Sequence, residues 1–356
     1  MIFAPNRLDD ERGGCSMTRR LFLAAVLGSL GAFSLLAGCS SCQRGQEVVV
    51  YTSVDQVFSE PVLRRFESET GLRVLAVYDT EETKSTGVVN RLIAEGQSPR
   101  ADVFWSNDPV RQLLLVGRGQ VEPYRSPAAE GLPAYARPAD GMWTGFAARA
   151  RVLLVNTRLV DAADMPSGIE SLADPRWRGK AAIANPLYGT TTMHVAALAT
   201  VWGQAKAEQF LRALKDNDVR IASSNGEVQR LVVSGEVAIG LCDTDDANEA
   251  VKGGAPVAVV FPDRGDIGTL VMPTTAVIIR GGPHPAAARR LIDYLVSAAV
   301  EEQMAQGAAH MPLRPGVRAP AGAKTVGEIK AMNVDYARVA DQIEQLQPLL
   351  RTWVGL

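Results

Sequence analysis

From residue 47 onward, short apolar runs alternate with stretches of helical periodicity, which predicts strands and helices in turn. Glu47–Thr52 reads as a buried strand. Val62, Leu63 and Phe66 then fall at helical spacing, Gly71 ends that helix, and Leu72–Tyr78 makes a second strand. Val88, Val89, Leu92 and Ile93 form another helical stripe, and after the Pro99 turn Ala101–Trp105 is a strand. Trp143–Asn156 is extended and carries the chain from one domain to another. Beyond Leu172–Trp177 come a strand at Ala181–Ala184, an Ala-rich helix over Thr191–Trp202 and another over Lys206–Lys215. Ser224 and Glu227 have the spacing of a capping box opening a helix through Val232, and Val237–Leu241 is the next strand. Val257–Phe261 and Thr274–Ile279 read as strands returning to the first domain. Residues 286–300 form a helix, and 326–349 carry further helices.

This order predicts an α/β fold of two lobes, each sheet covered by helices, with more than one crossing and a ligand cleft between the lobes. The expected bounds are 47–140 plus about 265–300 for the first lobe and about 141–264 for the second, with 301–356 as C-terminal helices packing on both.

The N-terminal pattern is different. Arg19-Arg20 precedes the apolar run Leu21–Leu36, and Leu36-Ala37-Gly38-Cys39 closes it with small residues before a cysteine. Basic, apolar and small segments in that order predict a secretory signal over 1–38, with Met17 as the true start and Cys39 as the lipidation site. Residues 39–46 then form a tether, so the body is exported and lipid-anchored at the periplasmic or extracellular face of a bacterial membrane.

Composition narrows the classes. With 37 basic and 39 acidic residues there is no basic footprint for nucleic acid, and 47% hydrophobic content fills two cores. Cys42 lies in the tether, and Cys242 ends an apolar run, which suits a buried free thiol. His194, His284 and His310 are scattered without zinc-ligand spacing, His194 reading as a satisfied helix-end histidine. No Gly-x-Ser-x-Gly elbow, His-Glu-x-x-His helix or Cys-His pair is present, so the chain is not expected to be an enzyme; an exported metal-dependent hydrolase is the alternative of another class.

The densest chemistry lies at Cys242-Asp243-Thr244-Asp245-Asp246-Ala247-Asn248-Glu249, directly after a strand. It reads either as one capping Asp with solvated neighbours or as two carboxylates reaching a cation, which hard oxygen donors suit; an organic ammonium fits the same set. Asp55 is the third carboxylate of that reading, from the other lobe. Gly189-Thr190-Thr191-Thr192 opens a helix and reads either as a cap or as an anion cradle of N–H groups and hydroxyls, with the Ser53 turn and Ser224-Asn225 as further donors. Tyr78, Asp79 and Glu82 stand near a strand end, Tyr78 either as an oxygen donor or in packing. Trp105 and Trp143 either line the cleft or fill the cores.

Taken together, Val49–Thr52, Phe66–Gly71, Ala101–Ser106, Arg149–Thr157, Leu172–Gly179 and Gly235–Gly240 resemble, in order, the extracellular solute-binding proteins of ABC importers, in the branch that includes ferric-ion-binding proteins. The resemblance covers about residues 48–300 and implies a type 2 periplasmic-binding-protein fold that closes on a solute and delivers it to membrane permease subunits. It also implies a monomer with no obligatory cofactor and favours Fe(III) or a metal–anion complex as cargo. The branch's histidine, glutamate and tyrosine pair are replaced here by Asp55, Asn107, Asp245 and Asp246. That replacement keeps open a small organic phosphonate, phosphate ester or amine as cargo; a sensory output in place of transport is a separate alternative.

Overall fold

The computed structural model describes residues 47–79, 87–320 and 323–356. The signal segment, Cys39, the tether with Cys42, and Glu82 lie outside the described residues. Among the described residues no helix is long and apolar enough to cross a membrane.

The first lobe begins with β1 (Glu47–Thr52), α1 (Gln56–Thr70), β2 (Arg73–Tyr78), α2 (Gly87–Ala94), β3 (Val103–Ser106), α3 (Pro109–Gly117) and the short β4 (Val121–Glu122). Period-two alternation sorts its strands. Val48, Val50, Val103 and Trp105 pack on one face of the sheet, while Tyr51 and Phe104 pack on the other. Gly71 ends α1 in the left-handed conformation at φ 70°, where its amide reaches the Glu67 carbonyl. Trp105 and Trp143 fill these cores rather than the cleft.

β5 (Thr144–Asn156) is buried along its whole length because it belongs to two sheets. Its first half pairs with the returning strand and its second half with the next lobe. That lobe holds β6 (Ala181–Ala184), α4 (Gly189–Trp202), α5 (Gln204–Asp216), β7 (Arg220–Ala222), α6 (Asn225–Ser234), β8 (Ile239–Asp243), α7 (Thr244–Lys252) and β9 (Val257–Val260). The chain returns through β10 (Val271–Ile279), α8 (Pro285–Leu295) and α9 (Ala298–Ala308), and ends in α10 (Tyr336–Val354). The strand order is β2-β1-β3-β10-β5-β8-β6-β7, with β4 on β10 and β9 on β5.

Three details differ from the sequence expectation. Strand β9 does not return to the first lobe; it pairs antiparallel with Leu153–Asn156, because the short turn after α7 leaves it beside the nearest open edge. The helix expected over 286–300 is two helices, since Ser297 accepts the Val300 amide and caps a new start. The Ser224 box is offset: Ser224 caps the Glu227 amide, but the Glu227 carboxylate takes the amide and hydroxyl of Ser223.

Helix α10 packs across the back. Its Val339, Leu346 and Leu350 join one core with Val110 of α3 and the buried face of α4, so the two lobes share apolar contacts behind the crossing strands.

Candidate functional site

Strand β5 carries two arginines through an otherwise apolar interior. Arg151 is completely buried and Arg149 nearly so. Arg151 stands opposite Asp243 across the antiparallel β5–β8 pair, an opposite-charge arrangement that fixes both side chains. Its Nη1 donates to Asp243 Oδ1, to Thr190 Oγ1 at 2.9 Å and to Asn225 Oδ1 at 3.0 Å, and its Nη2 donates to Thr191 Oγ1 at 3.1 Å. Arg149 Nη1 donates to Asp243 Oδ2 at 3.0 Å and to Asp245 Oδ2 at 3.4 Å, while Nη2 reaches the Asn107 carbonyl of the first lobe at 3.2 Å.

Asp243 is the N-cap of α7, and the Asp246 carboxylate returns to its amide, so the predicted cap is there. The carboxylate oxygens of Asp243, Asp245 and Asp246 lie within 4.8 Å of one another. The surroundings divide them. Burial would raise Asp243, but Arg151 and Arg149 overcome it and hold the carboxyl below its usual range. Asp245 is raised by burial and by Asp243 and Asp55, against the pull of Arg149, and Asp246 is raised well above the usual range by burial, Asp245 and Asp243. Two guanidinium groups thus face four carboxylates, counting Asp55, which acts electrostatically on both Arg149 and Asp245. The crowding of carboxylates thus falls on Asp245 and Asp246, whose ionised forms their surroundings oppose.

The other expected site residues take various places. Asp55 is the N-cap of α1 and half-buried at the end of β1. Ser53 and Asn107 bind each other, the Asn107 amide to Ser53 Oγ at 3.1 Å and Asn107 Nδ2 to the Ser53 carbonyl at 2.9 Å, forming a strap that presents the Asn107 carbonyl to Arg149. Thr190 and Thr191 are not caps: α4 starts at Gly189, its N-cap Tyr188 makes no side-chain capping bond, and both hydroxyls serve Arg151. Asn225 Nδ2 donates to Thr190 Oγ1 and Asp243 Oδ2, whereas Ser224 caps α6 at the surface. The charges acting on Tyr78 are Glu60, Arg64 and Glu67 of α1, so its phenol is not drawn into the aspartate cluster.

A family model for bacterial extracellular solute-binding proteins matches residues 98–340. The chain belongs to that family. Iron uptake protein A1 of Synechocystis is 28% identical over 342 residues, covering 88% of this chain and 92% of its own. The fold agrees with iron-bound HitA of Pseudomonas aeruginosa at a TM-score of 0.78 and 22% identity, covering 87% of this chain and 99% of that one. It also agrees with AfuA of Actinobacillus pleuropneumoniae holding fructose-6-phosphate, at 0.75 and 21% identity over 87% and 99% of the two chains. This is the two-lobed periplasmic-binding-protein fold, and a solute-binding protein of this family is not an enzyme.

In this solute-binding protein, Arg149 and Arg151 are the residues that sequence reasoning passed over. Their signal was available: two charges two residues apart in a run otherwise fit for burial require buried partners. Tyr188 is 62% exposed on the turn that delivers Thr190 and Thr191.

His194 is not the satisfied helix-end residue its position suggested. It is buried in α4 with neither ring nitrogen hydrogen-bonded, against a cavity lined by Leu172, Ile183, Leu198, Phe210 and Leu241. Burial, then Arg151, push its pKa down to about 3, against the pull of Asp243. An unfolded histidine titrates near 6.5, so between those values the unfolded chain binds a proton that the folded chain refuses. Stability on this account falls as pH drops from about 6.5 towards 3, by up to about 1.4 kcal/mol per pH unit. His194→Leu should reduce that slope, leaving the share of His310, whose pKa burial also lowers to about 3, and should match or exceed wild-type stability at pH 7, since an unpaired buried imidazole is exchanged for an apolar group. Urea denaturation at pH 4, 5 and 7 checks both; an identical pH slope in the variant would refute the assignment.

Proposed function

We propose that this chain is the lipid-anchored receptor of an ABC importer, capturing Fe(III) or an Fe(III)–anion complex outside the cytoplasmic membrane and handing it to the permease subunits. The observation that carries the cargo is the convergence of Asp243, Asp245 and Asp246 to within 4.8 Å, with Asp55 acting on Asp245 from the other lobe and, among the described residues, Arg149 and Arg151 as the guanidinium partners. Asp243 is held by both arginines, so Asp55, Asp245 and Asp246 are the groups assigned to the cation. Hard carboxylate oxygens match a hard ion. Relatives bearing iron in their names support the choice. The anchor rests on Leu36-Ala37-Gly38-Cys39.

A second reading has its own observation. The first turn of α4 has no side-chain cap and is linked to Asp243 through Arg151 and Asn225, an arrangement that suits an organic phosphate or phosphonate carrying an amine, the anion at the helix end and the ammonium on the carboxylates. The same helix end also suits an anion bound together with iron.

Thermal melting of the purified protein with Fe(III) citrate, citrate alone, glucosamine-6-phosphate and 2-aminoethylphosphonate separates the readings. Binding to the folded state raises the melting temperature by mass action, and a shift with Fe(III) citrate beyond citrate alone is the expected result. A shift with an aminated phosphate or phosphonate and none with iron would replace the first reading by the second.

A further inference from the structure

Asp243 is 1% exposed at the end of β8, and four side chains from three separate elements converge on its carboxylate. Arg151 Nη1 donates to Oδ1, while Arg149 Nη1 at 3.0 Å and Asn225 Nδ2 at 3.3 Å donate to Oδ2. The Asn225 amide is fixed in this sense, because its Oδ1 accepts from Arg151 Nη1 and its Nδ2 also donates to Thr190 Oγ1 at 2.9 Å. The Thr190 hydroxyl accepts from Arg151 and Asn225 and directs its own proton to Asp243. Burial opposes the ionised carboxyl, and Arg151, Arg149 and Thr190 together secure it. Both arginines come from β5, Thr190 from the first turn of α4, and Asn225 opens α6.

Two guanidinium forks, an amide and a hydroxyl beside the first turns of two helices are the donors with which proteins hold a free carboxylate or phosphate. Here the chain's own carboxylate fills that cradle. A carboxylate offers about four acceptor positions, and these donors take them, so Asp243 keeps none for a cation. An anion arriving with the cargo meets donors already engaged, and to win them it must leave Asp243 buried and unpaired. Asp245 differs: its Oδ2 reaches Arg149 at 3.4 Å, and its buried Oδ1 accepts no hydrogen bond from the described residues.

We propose that Asp243 is a built-in anion: it occupies an anion cradle formed by Arg149, Arg151, Thr190 and Asn225, so the cargo cation is captured on Asp245 and Asp246 with no carried anion on those donors. This rests on the reading that the aspartate cluster receives a cation. Removing the side chain should turn the cradle into a site for a small carboxylate. Asp243→Ala deletes the carboxylate and is matched by formate; Asp243→Gly deletes the whole side chain and is matched by acetate. Asp243→Leu, which fills the space with an apolar group, is the control. Melting of the full chain is followed in sodium formate or acetate against sodium chloride at equal ionic strength.

Asp243→Ala should melt below wild type, and formate should raise it saturably by several degrees beyond chloride, because an ion that binds the folded state stabilises it by mass action. Wild type and Asp243→Leu should respond to formate as they do to chloride. In calorimetry with Fe(III) citrate, Asp243→Ala should lose roughly 10- to 100-fold in affinity, the usual scale for a group one step removed from a metal, since the released guanidinium groups compete with the cation for Asp245. Formate should restore most of that loss. A carboxylate response specific to either variant supports the cradle, and its absence from both overturns it. Unchanged Fe(III) affinity in folded Asp243→Ala, or a crystal structure of iron-loaded wild type with a citrate oxygen on Arg149 or Arg151, overturns its link to capture. Should neither variant fold in chloride, recovery of folded protein in the matching carboxylate supports the inference, and failure there refutes it. If wild-type protein binds no Fe(III), the cargo reading fails, and the formate and acetate responses still decide whether Asp243 fills an anion cradle.

Discussion

Asp245→Asn combined with Asp246→Asn is expected to weaken Fe(III) capture by roughly a hundredfold or more, since even residues one step removed from a metal commonly cost 10- to 100-fold. The fold should not suffer. Asp246 is pushed well above the usual carboxylate range by burial, Asp245 and Asp243, so its surroundings oppose its ionised form. A folded-state pKa above the unfolded value contributes stability at low pH that is lost as pH rises through it. Neutral amides of the same shape remove that penalty and still accept from the Asp243 amide. The double variant should therefore melt at or above the wild-type temperature at pH 7 while binding poorly. Calorimetry with Fe(III) citrate and a parallel melting curve give both numbers. Wild-type affinity in a folded double variant would remove these two residues from the site.

Arg151→Met should act in the opposite sense, on the fold first. The guanidinium is completely buried, pairs with Asp243, and donates to Thr190, Asn225 and Thr191. Removing it leaves the buried Asp243 carboxylate with Arg149 as its remaining guanidinium partner, a kind of change that costs about 3–5 kcal/mol. Replacing both charges, Arg151→Met with Asp243→Leu, should recover a large part of that loss, because a buried ion pair offsets little more than its own desolvation. Urea unfolding of the two single variants and the double variant measures the coupling between them. Additive losses, with no recovery in the double variant, would show that the pair is not the interaction that Arg151 contributes.

Much of the fold was legible because its signals are local. The period-two pattern of Val48 to Tyr51 needs only one sheet with two covered faces, and Gly71 or Ser224 needs only the next turn of chain. Strand β9 was misassigned because an apolar run of four residues carries no information about which edge it joins. The aspartate cluster was visible as density after a strand, and Asp243 stands at the N-cap of α7 with the Asp246 carboxylate returning to its amide.

Sequence by itself determined most of the strands and helices, the two-lobed α/β architecture and the presence of an acidic turn after a strand, because each depends on neighbours in the chain. Only the tertiary structure decided that Asp243 is neutralised from a strand over 90 residues away and that the Thr190 and Thr191 hydroxyls serve Arg151. Those outcomes depend on register. A shift of one residue exchanges the two faces of a strand without changing its hydrophobic content, and the Arg151–Asp243 pair depends on the register of β5 against β8.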